Sequence, residues 1–170
     1  QDTGVLAVAE HTRQQEQAVI DSITPPMAVT PLLSETAVDQ QLKHSDLKPN
    51  QRAVVKSLLT GRTALAVLQG HAGVGKTTLI RAVKAILDNT HSGIVVQGSA
   101  PTHSAAKELR DKGIPASTLD AFLSRYAGSA AKILPPTFLV IDEGSLIDTR
   151  RMLAILAVIQ QQPHLSHGVV

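Results

Sequence analysis

The apolar residues of this chain fall into short continuous runs separated by longer stretches of helical spacing. Three runs, at 64–68, 93–98 and 137–141, have the length and continuity of strands that are buried on both faces. Because helical stretches separate them, the pattern predicts βαβ units and a parallel sheet. Residues 168–170 resemble the opening of one more strand, so we expect the chain to stop in mid-architecture.

Apolar positions spaced three and four apart predict the helices. These segments are 5–23, 34–41, 47–59, 77–87, 104–112, 118–126 and 149–161. Three prolines mark 24–36 as a connector. We therefore expect residues 1–36 to form an N-terminal helical appendage and residues 37–170 to form the main α/β domain.

The composition indicates which side chains fill the core and which classes of protein can be excluded. Hydrophobic residues make up 43% of the 170, yet there is no Trp, one Tyr and two Phe, so an aliphatic core is expected. The absence of Cys excludes disulfides and thiolate metal sites. No apolar run reaches the length of a membrane span, and we expect a soluble, cytoplasmic protein. A formal charge of +2 permits nucleic-acid binding without arguing for it.

The segment after the first predicted strand has the pattern of a phosphate-binding loop. Gly70, Gly75, Lys76 and Thr77 follow the spacing G-x-x-x-x-G-K-[ST]. Glycines let backbone N–H groups wrap a triphosphate, and the N-terminus of the next helix adds further donors. Lys76 is expected to reach the β- and γ-phosphates, and Thr77 to ligate the accompanying Mg²⁺. The predicted nucleotide contacts are Gly70, His71, Ala72, Gly73, Val74, Gly75, Lys76, Thr77 and Thr78.

Two acidic residues, Asp142 and Glu143, follow the third predicted strand. Parallel strands end at one edge of a sheet, so we expect the acids, the phosphate loop and residues 101–103 to share a crevice. Asp142 would hold the Mg²⁺ shell, and Glu143 would orient and deprotonate the water that attacks the γ-phosphate. Acidic residues at strand ends are common, so the pair indicates a metal and catalytic site only because the same chain also carries a phosphate-loop pattern.

Five segments occur in a fixed order along the chain. They are 47–54 (LKPNQRAV), 69–78 (QGHAGVGKTT), 100–109 (APTHSAAKEL), 116–123 (ASTLDAFL) and 141–148 (IDEGSLID). Together they resemble the superfamily 1 DNA helicases of the RecD type, most closely the helicase region of TraI-like conjugative relaxases. The resemblance implies a RecA-like P-loop NTPase fold and the first motor domain of an ATP-dependent helicase acting on single-stranded DNA.

The resemblance also implies roles outside the phosphate loop. Gln51 is similar to the glutamine that these helicases place against the adenine edge; otherwise it is an exposed glutamine at a helix start. Pro101, Thr102 and His103 are similar to the segment that touches the single-strand backbone, where Thr102 could donate to a phosphate. A helix cap is the alternative for Thr102, and it would not exclude DNA contact. Thr118 lies in a stretch that positions the DNA-binding face in this family.

The resemblance finally implies a piece of a longer relaxase-helicase, whose remaining domains would be partners. The family's second motor domain carries an arginine finger, so we expect this chain to bind ATP and hydrolyse it slowly. One alternative is a non-catalytic helicase-derived DNA-binding or docking module, which the intact Lys76, Thr77, Asp142 and Glu143 argue against. Another is a P-loop nucleotide or metabolite kinase, but no Arg-rich lid is visible.

Overall fold

Helices and strands alternate through the part of the chain that the computed structural model describes. These residues are 14, 15, 17, 30–62, 65, 66, 68, 75–128, 132–162 and 165–169. The helices with defined bounds are α1 Glu35–Leu42, α2 Pro49–Thr60, α3 Lys76–Asn89, α4 His103–Asp111, α5 Leu119–Tyr126 and α6 Thr149–Gln161. The strands are β1 Leu65–Ala66, β2 Val95–Ala100, β3 Ala116–Thr118, β4 Thr137–Ile141 and β5 Leu165–Val169.

The strands form one five-stranded sheet in the order β1-β5-β4-β2-β3. Every neighbouring pair is parallel. The register places Ala66, Val169, Val140, Gly98 and Ala116 in a single row across the sheet. All five strands therefore end at the same edge, as the alternating pattern predicted.

The core lies on both faces of this sheet because successive strand residues point to opposite sides. Phe138 and Val140 of β4 pack into one cluster with α1 to α4. Leu139 and Ile141 pack into the other cluster with α5 and α6. Apart from Phe122, Tyr126 and Phe138, the buried hydrophobic side chains are aliphatic, which confirms the expected type of core.

Most predicted elements are present, with bounds shifted by one to three residues. The strand predicted at 137–141 is β4 without change, whereas the one predicted at 93–98 is displaced to Val95–Ala100. The helix predicted to stop before Asp88 continues to Asn89. The strand β3 was not predicted, because three residues are too few to show a period of two.

The N-terminal prediction lies largely outside the described residues. Within 5–23, Gln14, Gln15 and Gln17 are helical, and the others are not described. Leu32 and Leu33 pack against the main core, and the Leu33 N–H donates to the Leu59 carbonyl oxygen at 3.1 Å. The domain boundary after residue 36 stays a prediction.

A buried glutamine fastens the segment between α5 and β4. The Gln162 Oε1 atom accepts from the Leu134 N–H at 2.9 Å, and its Nε2 donates to the Lys132 carbonyl oxygen at 2.9 Å. Leu134 is fully buried, so its N–H has no access to water if this bond is lost. The side chain of Gln162 thus fixes the segment that contains Lys132 and Leu134, which leads into β4.

We expect Gln162→Leu to lower the free energy of unfolding by about 1–3 kcal/mol, because it leaves a buried N–H without an acceptor. Gln161→Leu is the matched control, since Gln161 is exposed at the end of the same helix. The control should change the free energy of unfolding by less than about 0.5 kcal/mol. Urea denaturation of the two variants measures both values, and equal effects would contradict the role given to Gln162.

Candidate nucleotide-binding site

The helix that follows the phosphate-loop pattern begins at Lys76 and is anchored by a buried face. Gly75 precedes it with φ of +92° and ψ of +21°, a left-handed conformation that favours glycine. Lys76 and Thr78 are exposed, and Thr77 is half-buried. The buried side chains of α3 are Leu79, Ile80, Val83, Ile86 and Leu87. The packing of this face therefore holds α3 in place, with the positive end of its dipole at Lys76.

The other predicted loop contacts, Gly70, His71, Ala72, Gly73 and Val74, lie outside the described residues. At the described end, a Cβ atom added to Gly75 would lie 2.9 Å from the Gln51 Nε2 atom. The positive φ favours glycine at position 75, and a Cβ atom there would also displace the end of the Gln51 side chain. The local geometry therefore fits a loop whose backbone must come close to a bound phosphate.

Gln51 lies against the phosphate loop and is half-buried. Its Oε1 atom accepts from the Lys48 N–H at 3.1 Å, which orients the amide in the first turn of α2. Gln51 is therefore a helix-start glutamine that takes part in the cap of α2, as the alternative predicted, although it is half-buried and not exposed. Contact with an adenine stays a prediction, but the side chain is in the neighbourhood that such a contact needs.

The acidic pair continues directly from the fully buried strand β4. The Asp142 N–H donates to the Ser99 carbonyl oxygen at 2.9 Å, which extends the ladder between β2 and β4 past Ile141. Asp142 is half-buried, and its Oδ1 accepts from the Glu143 N–H at 2.9 Å. The carboxylate of Asp142 is thus fixed at the edge where β1 also ends.

Glu143 has an unusual backbone conformation. Its φ of +55° and ψ of +39° place it in the left-handed region, which non-glycine residues rarely adopt. Its side chain is exposed, and the residue leads into a 3₁₀ turn at Gly144–Leu146. Such strained positions concentrate at functional sites, where the surrounding structure enforces them.

The strand order sets the distance across the site. Because β5 lies between β1 and β4, the strand entering the phosphate loop and the strand carrying the acids are two strand spacings apart, about 10 Å. Phosphate groups with a divalent cation and a water molecule are of this size. The acids and the end of β1 therefore lie on one sheet edge with β5 between them.

The donor set suits Mg²⁺. Thr77 supplies a hydroxyl and Asp142 a carboxylate, the oxygen ligands that Mg²⁺ takes when substrate phosphates and waters complete its shell. Among the described residues there is no cluster of three or more His, Cys, Asp or Glu that would form a metal cage of its own. Magnesium held partly by nucleotide is the arrangement that these residues fit.

Two further helix N-termini open on the same edge. Thr102 Oγ1 accepts from the Ala105 N–H at 3.1 Å, and Thr118 Oγ1 accepts from the Ala121 N–H at 3.3 Å, so each threonine caps a helix. The cap predicted as the alternative for Thr102 is confirmed. Its hydroxyl proton can still be donated, because a hydroxyl both donates and accepts.

The sheet brings these two caps together. Ala100, the last residue of β2, pairs with Thr118 of β3. Pro101 is half-buried, while Thr102 and His103 are exposed. The structure therefore gathers 101–103, Thr118 and the acids at one edge. The backbone oxygen of Ser99 was missed by sequence reasoning, because no side-chain pattern reveals a carbonyl that aligns its neighbour.

The parallel sheet, the glycine-capped helix and the acidic pair define a P-loop NTPase domain with a RecA-like sheet. A family model described as an AAA domain matches residues 46–165. The chain is 32% identical over 165 residues to the multifunctional conjugation protein TraI of Escherichia coli strain K12, covering 92% of this chain and 9% of that protein. It is 29% identical over 111 residues to the probable conjugal transfer protein TraA of Sinorhizobium fredii, covering 65% of this chain and 10% of that protein.

The chain therefore belongs to this AAA domain family, that of the RecD-like helicases. It spans about a tenth of the length of the curated relatives it matches. Within the described residues, no helix has both the length and the apolar character needed to cross a bilayer.

Proposed function

We propose that this chain is the first motor domain of an ATP-dependent helicase that translocates on single-stranded DNA, and that it works within a longer cytoplasmic relaxase-helicase. The observation that carries the proposal is the convergence of three features at one sheet edge. These are the Gly75-capped helix, the Asp142-Glu143 pair and the two threonine-capped helices. Relatives named for conjugation and conjugal transfer support the biological setting.

Four side chains would hold the nucleotide and its metal. Lys76 binds the β- and γ-phosphates, Thr77 and Asp142 hold Mg²⁺, and Gln51 contacts the adenine; backbone groups of 70–75 wrap the phosphates. Mg²⁺ held by Thr77 and Asp142 would offset the negative charge of the phosphates. The helix dipole of α3 adds positive potential at the same point.

Glu143 is the candidate general base. Asp142 would serve the metal, and the exposed Glu143 carboxylate would remain for a water molecule. Glu143 accepts a proton from that water as its oxygen bonds to the γ-phosphorus, while the bond from this phosphorus to the β–γ bridging oxygen breaks and ADP leaves.

The edge formed by 101–103 and Thr118 is the candidate DNA contact. Two helix N-termini there present backbone donors and threonine hydroxyls, which bind phosphate oxygens regardless of base sequence. Sequence-independent contact of this kind suits an enzyme that moves along a strand. Binding of this type weakens as the salt concentration rises.

We expect Lys76→Ala to weaken ATP binding by about 10- to 100-fold, because it removes a charged hydrogen-bond donor from the phosphates. Lys84→Ala is the matched control, since Lys84 lies on the same helix and pairs with Asp88. Titration of a fluorescent ATP analogue with Mg²⁺ measures both affinities, with and without a single-stranded oligonucleotide.

Three results would contradict the proposal. Equal ATP affinity in the wild type and Lys76→Ala would remove the phosphate site. DNA binding without ATP binding would favour a non-catalytic docking module. Transfer of the γ-phosphate to a small acceptor would favour a kinase.

A further inference from the structure

Arg151 joins the start of α6 to the start of α5. Its Nε donates to Asp120 Oδ1 at 3.1 Å and its Nη2 donates to Asp120 Oδ2 at 3.1 Å. Two parallel bonds of this kind fix the orientation of the guanidinium as well as its distance. Asp120 lies in the first turn of α5, two residues after Thr118 of the candidate DNA edge.

The same arginine is tied to the segment that follows the acidic pair. Its Nη1 donates to Asp148 Oδ2 at 3.3 Å, and its backbone N–H donates to Asp148 Oδ1 at 2.9 Å. The backbone bond from Arg151 lowers the pKa of Asp148 from its ordinary value, so this carboxylate is charged at neutral pH. Only the 3₁₀ turn Gly144–Leu146 and Ile147 separate Asp148 from Glu143. Arg151 therefore contacts both Asp148, which follows the acidic pair and its 3₁₀ turn, and Asp120 in the first turn of α5, next to the candidate DNA edge.

These ion pairs contribute little to the stability of the fold. The side chains of Arg151, Asp120 and Asp148 are 40%, 66% and 55% exposed, and ion pairs at such exposure are largely screened by water and salt. The two helices are held independently by a buried cluster that includes Leu119, Phe122, Ile155 and Ile159. The ion pairs are thus better suited to fixing the relative position of two segments than to holding the helices together.

We propose that Arg151 is a positioning residue that couples the nucleotide site to the DNA-facing end of α5. This inference rests on the proposed function. A nucleotide that shifts Glu143 moves the 3₁₀ turn and Asp148, and Arg151 carries this movement to Asp120 and Thr118. Since coupling between two binding sites is reciprocal, nucleotide and DNA then raise each other's affinity by the same factor.

The test measures that factor in the wild type and in variants. The affinity for a fluorescent oligothymidylate is titrated with and without a nonhydrolysable ATP analogue and Mg²⁺, at one low salt concentration. We expect the nucleotide to raise DNA affinity by about fivefold or more in the wild type, the lower end of typical coupling. In Arg151→Gln and Asp120→Asn the factor should fall towards one, while each separate affinity stays within about twofold because these pairs are exposed.

Lys56→Gln is the matched control, because Lys56 also joins two helices through an exposed ion pair. Its Nζ donates to both carboxylate oxygens of Asp39 at 2.8 Å, which links α2 to α1. This control should keep the wild-type coupling factor. Arg151→Lys, which keeps the charge and loses the paired geometry, should give an intermediate factor.

Several outcomes would overturn the inference. Wild-type coupling in Arg151→Gln or Asp120→Asn would exclude a positioning role, and so would an equal loss of coupling in Lys56→Gln. Independent binding of nucleotide and DNA by the wild type would overturn the inference and leave the proposed function intact. If the wild type binds no nucleotide, the proposed function fails and the inference fails with it. Asp120→Asn provides a second route should Arg151→Gln lower the melting temperature.

Discussion

Replacing Glu143 by Gln should slow ATP hydrolysis by about 10²- to 10⁴-fold, the usual contribution of a general base. Glutamine keeps the size of the side chain but cannot accept a proton from the attacking water. ATP affinity should stay within about threefold of the wild type, because a base that acts on water contributes to the transition state and not to binding. Single-turnover hydrolysis of radiolabelled ATP measures the rate even when it is slow, and equilibrium titration measures the affinity.

Glu108→Gln serves as the control for this substitution. Glu108 is exposed on α4 and pairs with Lys112, so its loss removes one carboxylate away from the acidic segment. The control should hydrolyse ATP at the wild-type rate. A Glu143→Gln variant with an unchanged rate would mean that another group activates the water. A parallel loss of rate and affinity would place Glu143 in nucleotide binding instead.

Phe138→Ala should lower the free energy of unfolding by about 3–5 kcal/mol, the usual effect of removing a buried phenyl ring from a core. Phe138 is 0% exposed and lies on β4, between β5 and β2 in the sheet. Its ring packs in the cluster formed by α1 to α4, which has few other aromatic side chains to fill the space. Domains of this size are stable by about 5–15 kcal/mol, so the variant should unfold at a much lower urea concentration.

Val95→Ala is the control for that loss of stability, because Val95 lies on the neighbouring strand β2 and is 47% exposed. It should change the free energy of unfolding by less than about 1 kcal/mol, since little apolar surface is returned to water. A similar small effect for Phe138→Ala would contradict the two-sided core described here. Urea denaturation followed by circular dichroism compares the two variants directly.

The strands that sequence reasoning found are those with enough residues to show a pattern. Thr137–Ile141 is continuous, apolar and bounded by two prolines and two acids, so both of its ends were readable. The strand Ala116–Thr118 has only three residues, all half-buried, and only Thr118 among them was predicted from the sequence to lie in an element, the start of a helix. Its pairing with β2 exists because the chain returns from α4 at Gly113, whose φ is +82°.

The candidate site divides in the same way. The phosphate-loop pattern and the acidic pair were readable because each is a short contiguous motif with one chemical purpose. The position of Gln51 against Gly75 and the pairing of Arg151 with Asp120 join residues that are far apart in sequence. No local pattern announces such contacts, so the sequence predicted Gln51 only through a family resemblance and did not predict the Arg151 pair.

The sequence by itself determined most of the segments that become helices and strands, and which of them carry the motifs proposed to bind phosphate and metal, because these patterns depend on neighbours within a few positions. The tertiary structure decided that β5 separates β1 from β4, and hence that the end of β1 and the acids lie two strand positions apart on one edge. It also decided that the two threonine caps lie side by side. Parallel strands need crossovers of a dozen or more residues, so their order follows from the packing of helices on the sheet and not from any local stretch of the chain.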